Sequence, residues 1–442
     1  MASSSYEQLQ QDLHPPLSRH EASVESDRCY FCHDAPCVTA CPTGIDIPLF
    51  IRQISTDNPK GSARTIFNEN ILGGMCARVC PTETLCEQAC VRNTAEDNPV
   101  RIGELQRYAT DHLMETGEQP YSRAQSTGCK VAVVGAGPAG LACAHRLALL
   151  GHEVAIFDAR PKPGGLNEYG IAAYKSVDEF AQKEVTYILS IGGITLHQDQ
   201  VLGEDFLLED LKRDYQAVFL GLGLGAVNDL GIEGEELAGV VDAIEFIAEL
   251  RQSADYAQLD PGDRTIVIGG GMTAIDAAVQ SRMLGCEEVT LAYRRGVERM
   301  NASQFEQDLA KVNGVVIRNW LQPLRVLGEN GQVTGVEFAR MSEEGGQYAP
   351  TGENVILPCD RVLKAIGQQF VNSVPAVDGV TAIELDAGRI RVDDERRTSD
   401  ARVWAGGDCI TGGEDLTVAA VQDGKLAAES IHTTLTKGQA HG

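Results

Sequence analysis

A chain of 442 residues and 47.5 kDa is too long for one ordinary domain, and two to four are expected at roughly 100–200 residues each. Hydrophobic residues make up 43% and charged residues 23%, as in an average soluble protein, and no run of about 18 uncharged apolar residues offers a membrane span. Lys and Arg number 37 against 63 Asp and Glu, a net charge of −26, which argues against nucleic acid or an anionic membrane surface as a partner.

Met1 to His20 is polar, carries Pro15 and Pro16 and resembles no secretory signal, so a cytoplasmic location is expected. Of the 13 cysteines, eight lie between Cys29 and Cys90. Cys29, Cys32, Cys37 and Cys41-Pro42 form a C-x2-C-x4-C-x3-C-P run, and Cys76, Cys80-Pro81, Cys86 and Cys90 form a C-x3-C-P-x4-C-x3-C run. Thiolates so close in sequence let a short loop wrap one metal centre. The first run is similar to the bacterial ferredoxin signature with a longer middle gap, where the fourth cysteine ligates the other cluster. Two runs of four thus suit two 4Fe-4S clusters with crossed ligands. A disulfide framework requires an oxidising compartment. Zinc sites usually pair two C-x2-C hooks, and only one is present here.

Ile102, Leu105, Ala109 and Leu113 fall at helical spacing, which predicts an amphipathic helix over Val100–Glu115 with Gln106 beside its buried face. On pattern alone Gln106 is a hydrogen-bonded helix residue at a domain boundary. The polar stretch Glu118–Gly128 reads as a linker.

Lys130–Val134 is an apolar strand leading into Gly135, Gly137 and Gly140 of a GxGxxG turn, then a helical run over Leu141–Leu150. Glycines there permit a tight turn, close approach of backbone N–H groups to a pyrophosphate and tight helix–strand packing, and the helix N-terminus favours the phosphate charge. A second strand, Val154–Phe157, ends at Asp158, the acidic position expected to bind an adenosine ribose. Gly164-Gly165-Leu166, a buried strand at Ala217–Leu222 running into Gly223, and Val403–Asp408 with the helix Val418–His432 behind it follow. This set resembles the flavoprotein disulfide-reductase-like superfamily. The resemblance implies an FAD site built from Gly135, Gly137, Gly140, Asp158, Gly165, Leu166, Gly407, Asp408 and Thr417.

A second fingerprint begins with the strand Thr265–Ile268, then Gly269, Gly271, Thr273 and Ala274, and a helix over Ile275–Leu284. The next strand, Val289–Tyr293, reaches Arg294-Arg295 where an NAD site usually shows an acid. Arginine there accommodates an adenosine 2′-phosphate, so NADP(H) is favoured over NAD(H), with a solvated basic pair as the plain alternative. Gly331–Phe338 reads as a hairpin-like strand, and Val362–Gly367 as the strand leading back to the first fold.

The motifs RCYFCHDAPCVTACP, GGMCARVCPTETLCEQAC, VAVVGAGPAGLACA, GGLNEYGI, IGGGMTAIDAA, AYRRGVERM and VWAGGDC together resemble the family of glutamate synthase small subunits, which includes the amino-terminal half of dihydropyrimidine dehydrogenase. The likeness runs from about Cys29 to His432. The fold class it implies is α/β: a helical bis-4Fe-4S domain over 1–125, an FAD domain over 126–228 and 368–442, and an inserted NAD(P) domain over 229–367. Ile102-Gly-Glu-Leu-Gln106 resembles the dihydropyrimidine dehydrogenase branch, where glutamine completes one cluster. That implies Cys29, Cys32, Cys37 and Cys90 as one ligand set, and Cys41, Cys80, Cys86 and Gln106 as the other. An all-cysteine set with Cys76 in place of Gln106 stays open.

The implied activity is that of an NAD(P)H-dependent FAD and iron–sulfur oxidoreductase. It would be the electron-input subunit of a hetero-oligomer whose FMN-containing partner reduces uracil or thymine. A glutamate synthase small subunit, a ferredoxin–NADP oxidoreductase, a bifurcating subunit and a redox assembly module with little turnover are the other readings. No protein acid or base is nominated. Cys129, Cys143, Cys286, Cys359 and Cys409 stand apart and read as packing residues.

Overall fold

The computed structural model describes residues 3–371 and 383–437, so 372–382 and 438–442 of the expected second FAD segment lie outside the described residues. The chain divides into two compact units. One comprises Met1–Leu13, Tyr169–Asp178 and Ala226–Gln369, and the other the remaining segments from His14 onward. The chain crosses between the units at 13/14, 168/169, 178/179, 225/226 and 369/370. Residues from His14 to 125 share a unit with the first glycine fingerprint.

That larger unit is organised on a five-stranded parallel sheet in the order Val403–Ala405, Ala217–Leu220, Lys130–Val134, Glu153–Phe157, Ile194–His197. Its inner strands are short apolar runs buried on both faces, as a doubly covered parallel sheet requires, while the edge strand Ile194–His197 is half exposed. The Ala217 strand ends at Leu220, sooner than expected, because its register partner Val134 is the last residue of the central strand. Helices Pro138–Leu149 and Thr417–Lys437 pack closely, and a Cβ on Gly424 would collide with the Ala139 carbonyl oxygen.

The cysteine-bearing segment is helical, with Asp46, Asn58 and Ser18 capping the Ile47–Ser55, Pro59–Glu69 and Arg19–Ser26 helices. Phe50, Ile51, Ile66, Leu105 and Ala109 merge into one apolar core with Leu141, Leu147 and Ile188 of the sheet-bearing fold. Each such side chain contributes about 1.5–3 kcal/mol on burial, which explains why this segment is no separate body. The polar stretch after it is docked: Tyr121 donates to Asn68 Oδ1 at 2.9 Å, and Ala124 N donates to the Leu149 carbonyl at 2.8 Å.

The smaller unit repeats the plan with strands Val240–Asp242, Arg361–Ala365, Arg264–Gly269, Glu288–Ala292 and Val316–Arg318, all parallel. It adds an antiparallel sheet of Leu321–Glu329, Gln332–Glu344 and Gln347–Pro358, where the sequence suggested only one strand. Asn330-Gly331 (φ 53° and 81°) and Gly345-Gly346 (φ 59° and 81°) supply the two left-handed pairs that close its hairpins. Among the described residues, no helix is long and apolar enough to cross a membrane.

Candidate nucleotide and cluster sites

In the larger unit the central strand turns at Gly135, whose φ of 98° and closeness to the Gly221 carbonyl exclude a side chain. A Cβ on Gly140 would strike the Gly135 carbonyl oxygen, so the helix can start this close to the strand only with glycine there. Gly137 is the N-cap of Pro138–Leu149 and brings no side chain to the helix end, unlike Ser18, Asp46 or Asn58 elsewhere. The first-turn N–H groups are therefore available to a phosphate. Gly165 packs on Gly137: a Cβ on Gly165 would lie 2.8 Å from the Gly137 α-carbon, so this approach of two backbone stretches requires glycine at 165. Leu166 begins the short helix Leu166–Tyr169 beyond it.

Asp158 is buried at the end of the second strand and accepts from Ala136 N at 2.6 Å and Arg160 N at 2.8 Å. Burial raises its carboxyl above the usual range against the pull of those two N–H groups. Each carboxylate oxygen keeps a further lone pair for a ribose hydroxyl. Asp408 follows Gly407, whose N–H donates to Asp423 Oδ2 at 2.9 Å, and a Cβ on Gly223 would sit 3.8 Å from Asp408 Oδ1. Burial, with the charge of Asp415 beside it, pushes Asp408 up to about 6. Thr417 Oγ1 donates to Asn167 Oδ1 at 2.7 Å, joining segments 250 residues apart. Glycine turn, acid and helix end thus gather in one unit from three separate stretches, and they fit a dinucleotide such as FAD.

In the smaller unit Gly271 caps Met272–Met283, again with no capping side chain, and a Cβ there would meet nothing within 4 Å. Thr273 lies in the first turn and Ala274 is fully buried against the sheet. Arg294 is exposed just past the Glu288–Ala292 strand, and the Arg295 guanidinium lies 5.5 Å from the Tyr348 ring centroid.

The early thiols lie near one another across the two runs, and Cys86 feels both Cys41 and Cys37. Cys29 feels the charges of Cys32 and Cys90, and Cys37 those of Cys29 and Cys90. Cys80 is hydrogen-bonded to Cys76 and feels Cys86 and Cys41. Burial pushes Cys37 up to about 12 and raises Cys86 strongly, so thiolates here require a compensating positive centre. Among the described residues, no three His, Cys, Asp or Glu side chains stand so as to hold a single metal ion. Closely grouped thiolates are the donor chemistry of a 4Fe-4S cluster, and the residues present fit that group. Gln106 is buried and donates from Nε2 to the Gly73 carbonyl at 2.7 Å, so Oε1 is the amide atom that could face a metal. Gly73 opens the helix that carries Cys76, so both contenders for the second set border the same helix.

Several residues went unnoticed in the sequence. Glu184 reaches from Phe180–Leu189 to accept from Met75 N at 2.9 Å, holding the N-terminus of the Cys76 helix, and burial pushes it up to about 8. Arg78 on that helix pairs with Asp111 at 2.9 and 2.8 Å. Glu87, beside Cys86, is pushed by burial to about 7. In the smaller unit Lys175 stands 2.7 Å from both Asp276 and Glu306. Burial opposes its charge, but the two carboxylates outweigh that and hold it as ammonium. None of these has a local sequence signal, because each depends on a partner far along the chain. Cys129, Cys143, Cys286, Cys359 and Cys409 are all buried.

Comparison with known proteins agrees with this geometry. Residues 6–118 match the family described as dihydropyrimidine dehydrogenase domain II, 4Fe-4S cluster, and residues 129–424 match pyridine nucleotide-disulphide oxidoreductase. The chain is 35% identical over 421 residues to the NAD-dependent dihydropyrimidine dehydrogenase subunit PreT of Escherichia coli (strain K12), covering 95% of this chain and 96% of that protein. It is 36% identical over 442 residues to the glutamate synthase [NADPH] small chain of the same organism, covering 95% and 93%. Mycobacterium tuberculosis FprA in complex with NADPH shares the fold at a TM-score of 0.59 and 18% identity, over 71% of this chain and 86% of that one.

Proposed function

Because the chain belongs to the flavin and iron–sulfur oxidoreductase family of glutamate synthase small chains and dihydropyrimidine dehydrogenase subunits, we propose that it is the electron-input subunit of a dihydropyrimidine dehydrogenase. It would oxidise NAD(P)H and deliver electrons to an FMN-containing partner that reduces uracil or thymine. When bound, FAD accepts a hydride from the nicotinamide and releases electrons singly, and two 4Fe-4S clusters relay them. The chain's own part is to bind and orient. The open helix ends at Gly137 and Gly271 receive phosphates, and Asp158 and Asp408 accept hydrogen bonds from hydroxyls of the flavin nucleotide's sugar chains. Arg294 and Arg295 favour a 2′-phosphate, hence NADP(H). Cys29, Cys32, Cys37 and Cys90 hold one cluster, and Cys41, Cys80, Cys86 and Gln106 the other.

The observation that carries this reading is the union, in one unit, of an uncapped glycine-fingerprint helix and a gathering of thiols. Glutamine at position 106, in the stretch Ile102-Gly-Glu-Leu-Gln106, favours the dihydropyrimidine dehydrogenase branch by its resemblance. The 36% identity to a glutamate synthase small chain supports that protein's role as the second reading. Purification with bound partner followed by uracil-dependent NAD(P)H oxidation tests the first choice; turnover only with glutamine and 2-oxoglutarate overturns it. Gln106→Ala is expected to alter the EPR of one cluster alone, and an unchanged spectrum rejects the glutamine ligand in favour of Cys76.

A further inference from the structure

Among the described residues, neither Arg294 nor Arg295 has a carboxylate within ion-pair distance, whereas Arg299, in the same loop, lies 3.8 Å from Glu343. The Arg295 backbone is tied down. Its carbonyl accepts from Trp320 N at 3.2 Å and from Asn319 Nδ2 at 3.3 Å, and Tyr293 exchanges backbone hydrogen bonds with Arg318 and Leu321 at 2.9 and 3.0 Å. Its guanidinium is held differently. It lies over the ring of Tyr348, 5.5 Å from the centroid, and the other neighbour of that ring is Trp320 at 6.1 Å.

Tyr348 belongs to neither the fingerprint nor its strands. It sits near the tip of the hairpin Gln332–Glu344 and Gln347–Pro358, directly across from Glu343 in the pairing register. The hairpin therefore meets the basic loop twice, through Tyr348 on Arg295 and through Glu343 on Arg299. An aromatic face orients the guanidinium while leaving its N–H groups free for an incoming anion.

We propose that Tyr348 is a specificity-determining residue for the nicotinamide nucleotide, positioning Arg295 to take the adenosine 2′-phosphate. The inference rests on the reading of Arg294 and Arg295 as the 2′-phosphate site and deepens it by assigning the hairpin tip to that site. A ring-orienting role, unlike a folding role, distinguishes NADPH from NADH.

The test is steady-state dye reduction by wild type, Tyr348→Ala, Tyr348→Phe and Arg295→Gln, with bound flavin content as the control for folding. Calorimetric titration with adenosine 2′,5′-bisphosphate and with ADP gives a readout independent of turnover. Tyr348→Ala is expected to raise the KM for NADPH about two- to five-fold with kcat held, to leave the KM for NADH in place, and to weaken the bisphosphate alone. Tyr348→Phe, which keeps the ring, restores the NADPH preference. Equal increases for both nucleotides, or no change in either, overturn the proposal. If wild type prefers NADPH and Arg295→Gln removes that preference while Tyr348→Ala does not, this inference fails alone. If wild type prefers NADH and Arg295→Gln changes nothing, the 2′-phosphate reading fails and takes the inference with it.

Discussion

The two glycine fingerprints of this chain share a plan: a buried parallel strand, a turn, and a 12-residue helix whose N-cap is a glycine without a capping side chain. They part at two places. In the first, a Cβ on Gly165 would press on the Gly137 α-carbon, and the second strand ends in buried Asp158. In the second, a Cβ on Gly271 would stand in open space, and the second strand ends in Arg294-Arg295. If the first cradle holds the flavin nucleotide and the second the nicotinamide nucleotide, as proposed above, replacing glycines in the two should have different consequences.

Glycine replacement in each fingerprint breaks that comparison most sharply. Gly140→Ala drives a Cβ into the Gly135 carbonyl. Overpacking of this kind costs about 1–3 kcal/mol, and purified Gly140→Ala is expected to lose its flavin absorbance altogether. Gly271→Ala meets no clash, so flavin content should stay at the wild-type level while the KM for NAD(P)H rises several-fold. If both variants lose flavin equally, the two fingerprints do not divide the work in this way.

A smaller effect concerns Asp408. Its carboxyl is raised to about 6 by burial, so between the usual carboxylate range and pH 6 the folded chain keeps a proton that the unfolded chain has released. Stability from this group is present at low pH and lost as pH rises through about 6. Asp408→Asn should therefore match wild-type apoprotein at pH 4 and exceed it at pH 8 by roughly 1–3 kcal/mol, while binding flavin less tightly. Thermal melts of the two apoproteins across that range check the sign; a variant less stable at pH 8 contradicts the assignment of Asp408 as a buried, costly carboxylate.

Much of this was legible in the sequence, for a physical reason: strand, glycine turn and helix are local, and so are the cysteine runs. Lys130–Val134 is a strand over the residues that the apolar run indicates, and the helix expected over Val100–Glu115 spans Ile102–Glu115. The Met272–Met283 helix starts three residues before the expected Ile275 because Gly271 already caps it. What escaped notice is non-local. Glu184 is an ordinary helix glutamate until the chain folds it onto Met75 N, and Tyr348 is an ordinary hairpin tyrosine until it meets Arg295. The shared core of the cysteine helices and the flavin-type fold is hidden for the same reason, since Phe50 and Leu147 are nearly a hundred residues apart. The second hairpin was legible but unread: Asn330-Gly331 and Gly345-Gly346 are turn signals in plain view.

The most direct test of the account is anaerobic titration of the flavin- and cluster-loaded chain with NADPH, followed by absorbance and EPR. Electron input through this chain predicts that the flavin bleaches and that two distinct reduced-cluster signals then grow in, without any partner present. Bleaching of the flavin with silent clusters, or no bleaching with either NADPH or NADH, would contradict it.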